Sequence, residues 1–268
     1  MWFKLIVGCI MRTVNNRKMR VCIYNTPVEL GQAAGADAAD LIRKAIESNG
    51  TANIILATGT SQFETLNQLI TEKNIDWSKV VMFHLDEYIA LSANHPASFV
   101  KYLHQRFLAR VPKLKAAYLI NGERDPLEEC RRLGDLIREY PIDVALIGIG
   151  ENGHIAFNDP PADFEIEEPF IIVKLDEACR RQQMGEGWFN SFNEVPLRAI
   201  SMSVKQIMRS KNIICSVPDS RKAIAVKNTL EKAVSNLYPA SILQKHKNCT
   251  IYLDRDSAAL LDDRTNKV

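Results

Sequence analysis

The chain has 268 residues, of which 46% are apolar and 25% are charged, and its formal net charge is +2. This length and apolar content allow a full buried core, either as one domain or as one domain with a lid. No basic tract with interleaved aromatic residues suggests nucleic-acid binding. The apolar run within Met1–Met11 is far too short to span a bilayer.

The first predicted element is a strand at Arg20–Tyr24. We interpret residues 1–18 as an N-terminal extension outside the native structure, with Met19 as a plausible start. A signal peptide is disfavoured because no small-residue cleavage site follows the apolar run. Residues 19–268 are expected to form a single domain, whose first helix covers Pro27–Ser48 because apolar side chains recur on one helical face.

A small polar turn follows the next predicted strand, Asn53–Ala57. The turn consists of Thr58, Gly59, Thr60 and Ser61, and apolar residues at helical spacing come after it. A strand, a small turn and a helix together point backbone N–H groups at an anion. Taken alone, the same turn also fits a plain helix cap.

Two adjacent acids, Asp86 and Glu87, end the apolar strand Val80–Leu85. Ionised carboxylates are costly to bury without partners, which favours a catalytic role. A helix N-cap or turn acid is an equally open alternative for this position. His84 raises the option of a metal site beside Asp86, but no third ligand is suitably spaced, and we predict no metal.

The strand Ile142–Ile147 runs into a glycine-rich turn that carries Asn152, Gly153, His154 and Asp159. A lone histidine in such a turn is by default a solvated loop residue. The spacing is not G-x-G-x-x-G, so a dinucleotide fingerprint is not indicated. Ligands of open α/β sheets bind at the carboxyl ends of the strands, where this histidine lies.

Alternation of strands and helices continues along the chain. Two further helices are predicted at Ser98–Arg110 and Leu127–Ile137, and further strands at Ala199–Val204, Asn212–Val217 and Cys249–Leu253. This pattern predicts an α/β fold: a doubly wound, mostly parallel, Rossmann-like sheet flanked by helices. The poorly periodic segment at about 160–189 is interpreted as a lid over the site.

Cysteine usage bears on the cellular compartment. The six cysteines form no C-x-x-C pair and several lie in apolar runs, so we interpret them as buried reduced thiols. Reduced thiols are typical of a cytoplasmic protein, which is the predicted location.

Together the three strand-end loops resemble those of the glucosamine-6-phosphate deaminases, relatives of the 6-phosphogluconolactonases. The resemblance covers about residues 19–255, and its motifs are ATGTS at 57–61, FHLDEYIALSANHPASF at 83–99, IGENGHIAFNDP ending at Pro160, and SRKAIA at 220–225. The lactonase branch typically has GHTASLF after its glycine turn. This chain has GHIAFND from Gly153 to Asp159, which favours the deaminase branch.

The resemblance implies conversion of glucosamine 6-phosphate, or a close amino-sugar 6-phosphate, to fructose 6-phosphate or the matching ketose, plus ammonia. Asp86 would carry a proton from C2 to C1, and His154 would open the sugar ring. Lys222 would hold the phosphate together with the Thr58–Ser61 turn, although an ordinary surface lysine is the alternative. No metal, nucleotide or organic cofactor is implied.

The remaining implied site residues are Glu87 and Gly153 for binding, and Asn152 and Asp159 beside His154. Many family members have aspartate in place of Asn152, which could orient the imidazole by hydrogen bonding. Family members commonly have glutamate in place of Asp159, so contact with His154 would need a backbone shift or a water.

Other departures from the family pattern concern the phosphate site. The turn has Thr60 and Gln62 where a second glycine and a proline are usual. The arginine expected before the aromatic pair is replaced by Gly187, and either Arg180 or Arg181 could substitute for it. The preferred sugar epimer stays open.

Two alternatives remain beside the deaminase: a lactonase acting on a sugar-acid 6-phosphate, and a catalytically weak sugar-phosphate sensor. Ammonia release from glucosamine 6-phosphate, compared with galactosamine 6-phosphate, separates these functions. The predicted partner is a small-molecule sugar phosphate, with no nucleic acid and no membrane. A homo-oligomer is left open.

Overall fold

The computed structural model describes residues 8–14 and 17–262. Within these ranges the strands are β1 (Gly8–Val14), β2 (Arg17–Tyr24), β3 (Ala52–Leu56), β4 (Val80–His84), β5 (Asp86–Tyr88), β6 (Ala116–Tyr118), β7 (Val144–Ile147), β8 (Phe170–Lys174), β9 (Arg198–Met202), β10 (Asn212–Val217) and β11 (Cys249–Asp254). The helices are α1 (Pro27–Asn49), α2 (Phe63–Thr71), α3 (Phe99–Leu103), α4 (Pro126–Glu139), α5 (Glu177–Gly185), α6 (Val204–Met208) and α7 (Ala223–Glu231). None of these helices is both long and apolar enough to cross a membrane.

The main sheet has the strand order β1-β2-β11-β10-β7-β3-β4-β6. All neighbouring strands in it are parallel except β1, which runs antiparallel to β2. Strands β3 and β7 are buried along their whole length, because the sheet carries an apolar cluster on each face. The predicted mostly parallel, doubly wound sheet is confirmed.

The order of strands places a crevice at the centre of the sheet. From β3 the chain moves outward through β4 to β6, and from β7 it moves the opposite way through β10 to β11. Strands β3 and β7 are neighbours, so the two directions diverge between them. In open α/β sheets this divergence leaves room for a ligand beyond the carboxyl ends of the strands.

A second, antiparallel sheet has the order β5-β9-β8. The strand predicted at Ala199–Val204 belongs to it as β9, so its predicted place in the parallel sheet is wrong. The segment 160–189 is more regular than its sequence indicates, because it contains β8 and α5. Pairing with β9 organises β8 although its own residues show little periodicity.

Strand β1 pairs with β2 from Gly8↔Ile23 to Val14↔Arg17. The part of the predicted extension at residues 8–14 is therefore built into the edge of the main sheet. Residues 1–7 and 15–16 lie outside the described residues. The start at Met19 stays a prediction.

The cysteines differ in redox state. Cys130, Cys179, Cys215 and Cys249 are free, as predicted. Cys22 is disulfide-bonded, so the prediction of a reduced thiol is wrong there. No local cysteine motif predicts this bond, because the β1–β2 register, which sets Cys9 opposite Cys22, is a property of the fold.

Helices α1 and α2 pack closely through two glycines of α1. A Cβ at Gly31 would lie 2.2 Å from Glu64 Cβ and 2.6 Å from the Glu64 carbonyl carbon. One at Gly35 would lie 2.7 Å from Thr65 O. Because α2 directly follows the predicted anion turn, this contact also fixes the position of that turn.

We expect Gly31→Ala to lower the free energy of unfolding by about 1–3 kcal/mol, because overpacking must separate the two helices. Urea denaturation measures the change. Gly134→Ala in α4 is the matched control, because its Cβ would meet no atom closer than 3.6 Å. Equal stability of the two variants would contradict the close helix contact.

Candidate active site

A cavity opens at the crevice between β3 and β7. It is walled by the segments that follow β3, β4, β7 and β10, together with part of α5. Seven of the predicted site residues line it: Thr58, Gly59, Thr60, Ser61, Asp86, His154 and Lys222. The fold thus brings residues from four loops into one space.

The predicted anion turn is held against the end of β7. Gly59 has φ +94°, a conformation that favours glycine, and Thr60–Gln62 form one 3₁₀ turn that leads into α2. Gln62 is buried and donates to Ile147 O at 3.2 Å. This residue replaces the usual proline, and its side chain anchors the turn to the sheet.

Lys222 is buried, with 5% of its surface exposed. Burial lowers the pKa of its ammonium, although the nearby Glu186 and Glu151 charges raise it in part. Within the described residues no hydrogen bond or ion pair satisfies this ammonium. The surface-lysine alternative is therefore wrong, and Lys222 supplies a desolvated positive charge to the cavity.

Asp86 is 7% exposed. Burial raises its carboxyl pKa to about 8, and the Glu87 charge adds to the rise. No hydrogen bond to this carboxylate forms in the part of the chain that the structure describes. Asp86 lies in β5 rather than at a helix start, so the N-cap alternative is not what the fold uses. A carboxylate in this environment is a strong base for its type.

Glu87 does not line the cavity. Alternation along β5 turns its side chain to the opposite side from Asp86. Its carboxylate accepts from Ser98 Oγ at 2.8 Å and from the N–H groups of Val100 and Tyr88, each at 2.9 Å. Glu87 therefore fixes the start of α3, and its predicted role in substrate binding is corrected to a structural one.

His154 Nδ1 lies 3.0 Å from Asp159 Oδ1, with both side chains largely buried. The separation is that of an ion pair, but the N–H direction misses hydrogen-bond geometry, so Nδ1 has no hydrogen-bond partner. The shorter aspartate thus reaches His154 directly, and no bridging water is needed, whereas the predicted backbone shift stays a prediction. Since Nδ1 faces Asp159, Nε2 is left for a ligand.

Asn152 acts on Asp159 rather than on the imidazole. Its Nδ2 donates to Asp159 Oδ1 at 3.0 Å, and its Oδ1 accepts from the His154 backbone N–H at 3.1 Å. Burial raises the Asp159 pKa, but His154 and Asn152 together outweigh burial, so that the pKa lies below its ordinary value. The carboxylate beside His154 therefore stays ionised.

Two glycines shape the histidine turn. Gly153 has φ +87° and donates from its N–H to Gly150 O at 3.0 Å. It forms the turn without lining the cavity, so its predicted place among the binding residues is corrected. A Cβ at Gly150 would lie 2.3 Å from His154 Cε1 and Nε2. The imidazole thus lies directly on the Gly150 backbone.

The sequence did not reveal the contribution of α5 and the residue after it. Gln182, Gln183 and Glu186 line the cavity. Glu186 accepts from Gln182 Nε2 at 3.0 Å and from Trp188 Nε1 at 3.3 Å. The only available signal was the cluster of amides and one acid in a segment without helical periodicity.

Neither candidate for the missing arginine reaches the cavity. Arg180 donates to Phe192 O at 2.8 Å and to Val195 O at 2.9 Å. Arg181 pairs with Glu177 on the exposed face of α5. The predicted substitution by either residue is wrong, and Lys222 is the cation that the cavity lining provides.

Gly150→Ala is expected to lower turnover by about 100-fold, because the added methyl displaces the imidazole by roughly 1 Å. The fold should survive, since Gly150 is not in the left-handed region. Turnover and thermal unfolding test this together. Gly185→Ala, whose Cβ would have no neighbour within 4 Å, is the control. Full activity of Gly150→Ala would refute the stacked imidazole.

Comparison with known proteins agrees with this geometry. The family described as glucosamine-6-phosphate isomerases/6-phosphogluconolactonase matches residues 25–252. A glucosamine-6-phosphate deaminase of Oenococcus oeni is 35% identical over 247 residues, which are 92% of this chain and 100% of that protein. One of Lactobacillus delbrueckii subsp. bulgaricus is 37% identical over 246 residues, covering 91% and 100%.

Solved structures show the same relationship. A monomeric glucosamine-6-phosphate deaminase superposes with a TM-score of 0.82 at 35% identity, covering 90% of this chain and 99% of that one. A 6-phosphogluconolactonase from Trypanosoma brucei, at 18% identity, shares the fold with a TM-score of 0.76, covering 92% and 100%. The resemblance found in the sequence is confirmed. The chain belongs to the family of glucosamine-6-phosphate isomerases and 6-phosphogluconolactonases.

Proposed function

We propose that this enzyme converts glucosamine 6-phosphate, or a close amino-sugar 6-phosphate, to the matching ketose 6-phosphate and ammonia. The observation that carries the proposal is the shared cavity: a buried base, Asp86, and an imidazole, His154, face the same space as an anion turn and Lys222. Relatives named glucosamine-6-phosphate deaminase, at 35–37% identity, favour this activity over the lactonase alternative.

The phosphate would bind between the Thr58–Ser61 turn and Lys222. The turn offers backbone N–H groups and hydroxyls, and the ammonium offers the charge that its surroundings leave unpaired. Burial makes this charge worth more than it would be in water. The phosphate thus anchors one end of the substrate.

His154 would open the sugar ring at the other end. Its Nε2 would move a proton from the O1 hydroxyl to the ring oxygen, while Asp159 stabilises the imidazolium formed in between. Asn152 holds Asp159 in place for this purpose. The direct 3.0 Å contact makes the pair competent without a bridging water.

Asp86 would then take the C2 proton of the open-chain aldehyde and return it at C1. The first transfer gives an enolamine as O1 gains a proton, and the second gives an imine at C2. Water adds to this imine and ammonia leaves, which yields the ketose. A carboxylate with a pKa of about 8 is suited to removing a carbon-bound proton.

Ammonia release tests the activity directly. Purified enzyme is given glucosamine 6-phosphate or galactosamine 6-phosphate, and ammonia and ketose are measured together. Equal amounts of the two products from one sugar support the proposal. Release from neither sugar, with lactone hydrolysis or tight sugar binding instead, would replace it with one of the alternatives.

Cellular location and assembly stay predictions. We infer a cytoplasmic location from the four free cysteines, whereas the disulfide at Cys22 is the exception to that pattern. The relative of known structure is described as monomeric.

Asp86→Asn is expected to lower turnover by roughly 10²–10⁴-fold while changing substrate binding only a few-fold. The amide keeps the shape of the carboxylate but accepts no proton. Exchange of the C2 proton with deuterated solvent should stop in the same variant. Near-normal turnover would refute the assignment of the base.

The pH dependence should carry the same signature. Asp86 must be ionised to accept a proton, so kcat/KM should fall as the pH drops below about 8. The pKa of Asp86 is raised to about 8 in the folded protein from an ordinary value of 3.8. Between these two pH values the carboxyl ionises more readily in the unfolded chain, so the free energy of unfolding falls as the pH rises. Asp86→Asn should therefore have a higher Tm than the wild type at pH 8. An equal or lower Tm would contradict the desolvated carboxylate.

Lys222→Ala is expected to weaken binding of the sugar phosphate by about 1.5–3 kcal/mol, the usual scale of a charge-assisted hydrogen bond. Binding of the sugar without its phosphate should hardly change. Lys227→Ala, on α7 but paired with Glu231 and Asp262, is the control. Equal affinity of wild type and Lys222→Ala would rule out the anchor.

A further inference from the structure

A thiol lies behind the catalytic imidazole. Three side chains near the histidine turn, those of His154, Asp159 and Cys179, each offer one possible metal-ligand atom. These three atoms lie within 4.8 Å of one another, which is close enough for them to hold a metal ion. His154 is 7% exposed and Cys179 is 1% exposed. His154 lines the cavity but Asp159 and Cys179 do not, so two of the three possible ligands lie outside the substrate space.

The proposed reaction leaves the Cys179 thiol without a role. Its backbone N–H donates at 2.6 Å to Oδ1 of Asp176, the residue that caps α5, and its thiol forms a side-chain hydrogen bond with Asp159. His154 Nδ1 is buried and lacks a hydrogen-bond partner. A buried imidazole nitrogen that lies 3.0 Å from a carboxylate without hydrogen-bond geometry, and near a thiol, is an arrangement that a soft divalent cation completes.

Charge favours a cation at this position. In the described part of the chain, no lysine or arginine forms an ion pair with Asp159 or with Asp176, whose backbone N–H donates to Asp159 Oδ2 at 3.3 Å. Asn152 donates to Asp159 Oδ1 and would serve as an outer partner that orients this ligand.

We propose that His154, Asp159 and Cys179 form a binding site for a thiophilic divalent cation such as Zn²⁺ or Cd²⁺. Zinc bonds of about 2.0–2.3 Å require the three ligand atoms to draw together by roughly 1 Å. The site lies where α5 meets the histidine turn. Binding releases the thiol proton and occupies Nδ1, so it turns the imidazole into a metal ligand.

The consequence for catalysis rests on the proposed ring-opening role of His154. A metal on Nδ1 replaces the contact with Asp159, so the imidazole no longer shuttles a proton through Nε2. Because Asp159 and Cys179 lie outside the cavity lining, the metal should lower kcat with little effect on KM. The site would thus make the enzyme sensitive to soft metals.

Cadmium titration tests the site without reference to activity. Wild-type enzyme should develop the ultraviolet charge-transfer band of a Cd²⁺–thiolate bond, and Cys179→Ser should lose that band. Cys130→Ser, which removes the half-buried free thiol of α4, should keep it. An unchanged band in Cys179→Ser, or no band in the wild type, would overturn the proposal.

A second variant guards against a folding defect at Cys179. Asp159→Asn leaves the thiol in place and should weaken Cd²⁺ binding by about tenfold or more. In the kinetic arm, Zn²⁺ should inhibit the wild type and Cys130→Ser but not Cys179→Ser. If the cadmium band is found but zinc does not affect ring opening, the metal site is supported and the proposed ring-opening role of His154 is rejected.

A different observation concerns the acid that lines the phosphate end of the cavity. Glu186 Oε2 would lie 3.9 Å from a Cβ built on Gly59, so its carboxylate faces the anion turn. Its charge also raises the pKa of the buried Lys222. A substrate phosphate must therefore share this end of the cavity with a carboxylate.

We infer that Glu186 limits phosphate affinity, acting as the electrostatic partner of Lys222 until the phosphate takes its place. This role rests on the proposed phosphate anchor. The Glu186 carboxylate accepts from Gln182 Nε2 at 3.0 Å and from Trp188 Nε1 at 3.3 Å, and these two bonds hold it near the turn. Withdrawal of Glu186 from the turn would remove the repulsion.

Binding of inorganic phosphate to Glu186→Gln tests this role. The amide removes the repulsive charge, so phosphate should bind about tenfold more tightly and KM for the sugar phosphate should fall. Glu177→Gln, which pairs with Arg181 away from the cavity, should change neither quantity. Unchanged affinity in Glu186→Gln, with normal weakening in Lys222→Ala, overturns the role of Glu186 alone. No effect of either variant overturns the phosphate anchor as well.

Discussion

Desolvation of a few ionisable groups at one crevice is the constraint on which this site depends. The sheet diverges between β3 and β7, and the loops that follow the strands bury several polar and charged side chains around the gap. Burial raises the pKa of Asp86 to about 8 and lowers the pKa of Lys222. Both shifts favour the neutral form, because neither side chain has a hydrogen-bond or ion-pair partner within the described residues that would compensate for its lost hydration. For Lys222, the phosphate of a substrate can supply that partner.

The His154–Asp159 pair shows the opposite pKa shift to that of Asp86. Its carboxylate is less buried than that of Asp86, and Asn152 and the imidazole hold its pKa below the ordinary value. The neighbours of the two aspartates thus give them different roles. Asp86 is placed to accept a proton, whereas Asp159 stays charged. Such a division of labour between two carboxylates is a common basis for acid–base chemistry on one fold.

Much of this arrangement was predictable from local sequence. Apolar runs that end abruptly in Thr58–Ser61, Asp86 and the glycine turn located three loops of the cavity, because buried parallel strands have a strong compositional signature. The side to which Glu87 points depended on whether it continued a strand, and only pairing with β9 decides this. Gln182 and Glu186 escaped prediction because α5 has a polar surface and is positioned by contacts distant in sequence. The role of Asn152 depended on the position of Asp159, which no periodicity encodes.

Helix α5 connects the two ends of the cavity. At its start, Asp176 caps the helix and its backbone N–H binds Asp159, the partner of His154. Just beyond its end, Glu186 faces the anion turn and acts on Lys222. The helix spans only Glu177–Gly185, so one short element contributes to both the imidazole end and the phosphate end of the site.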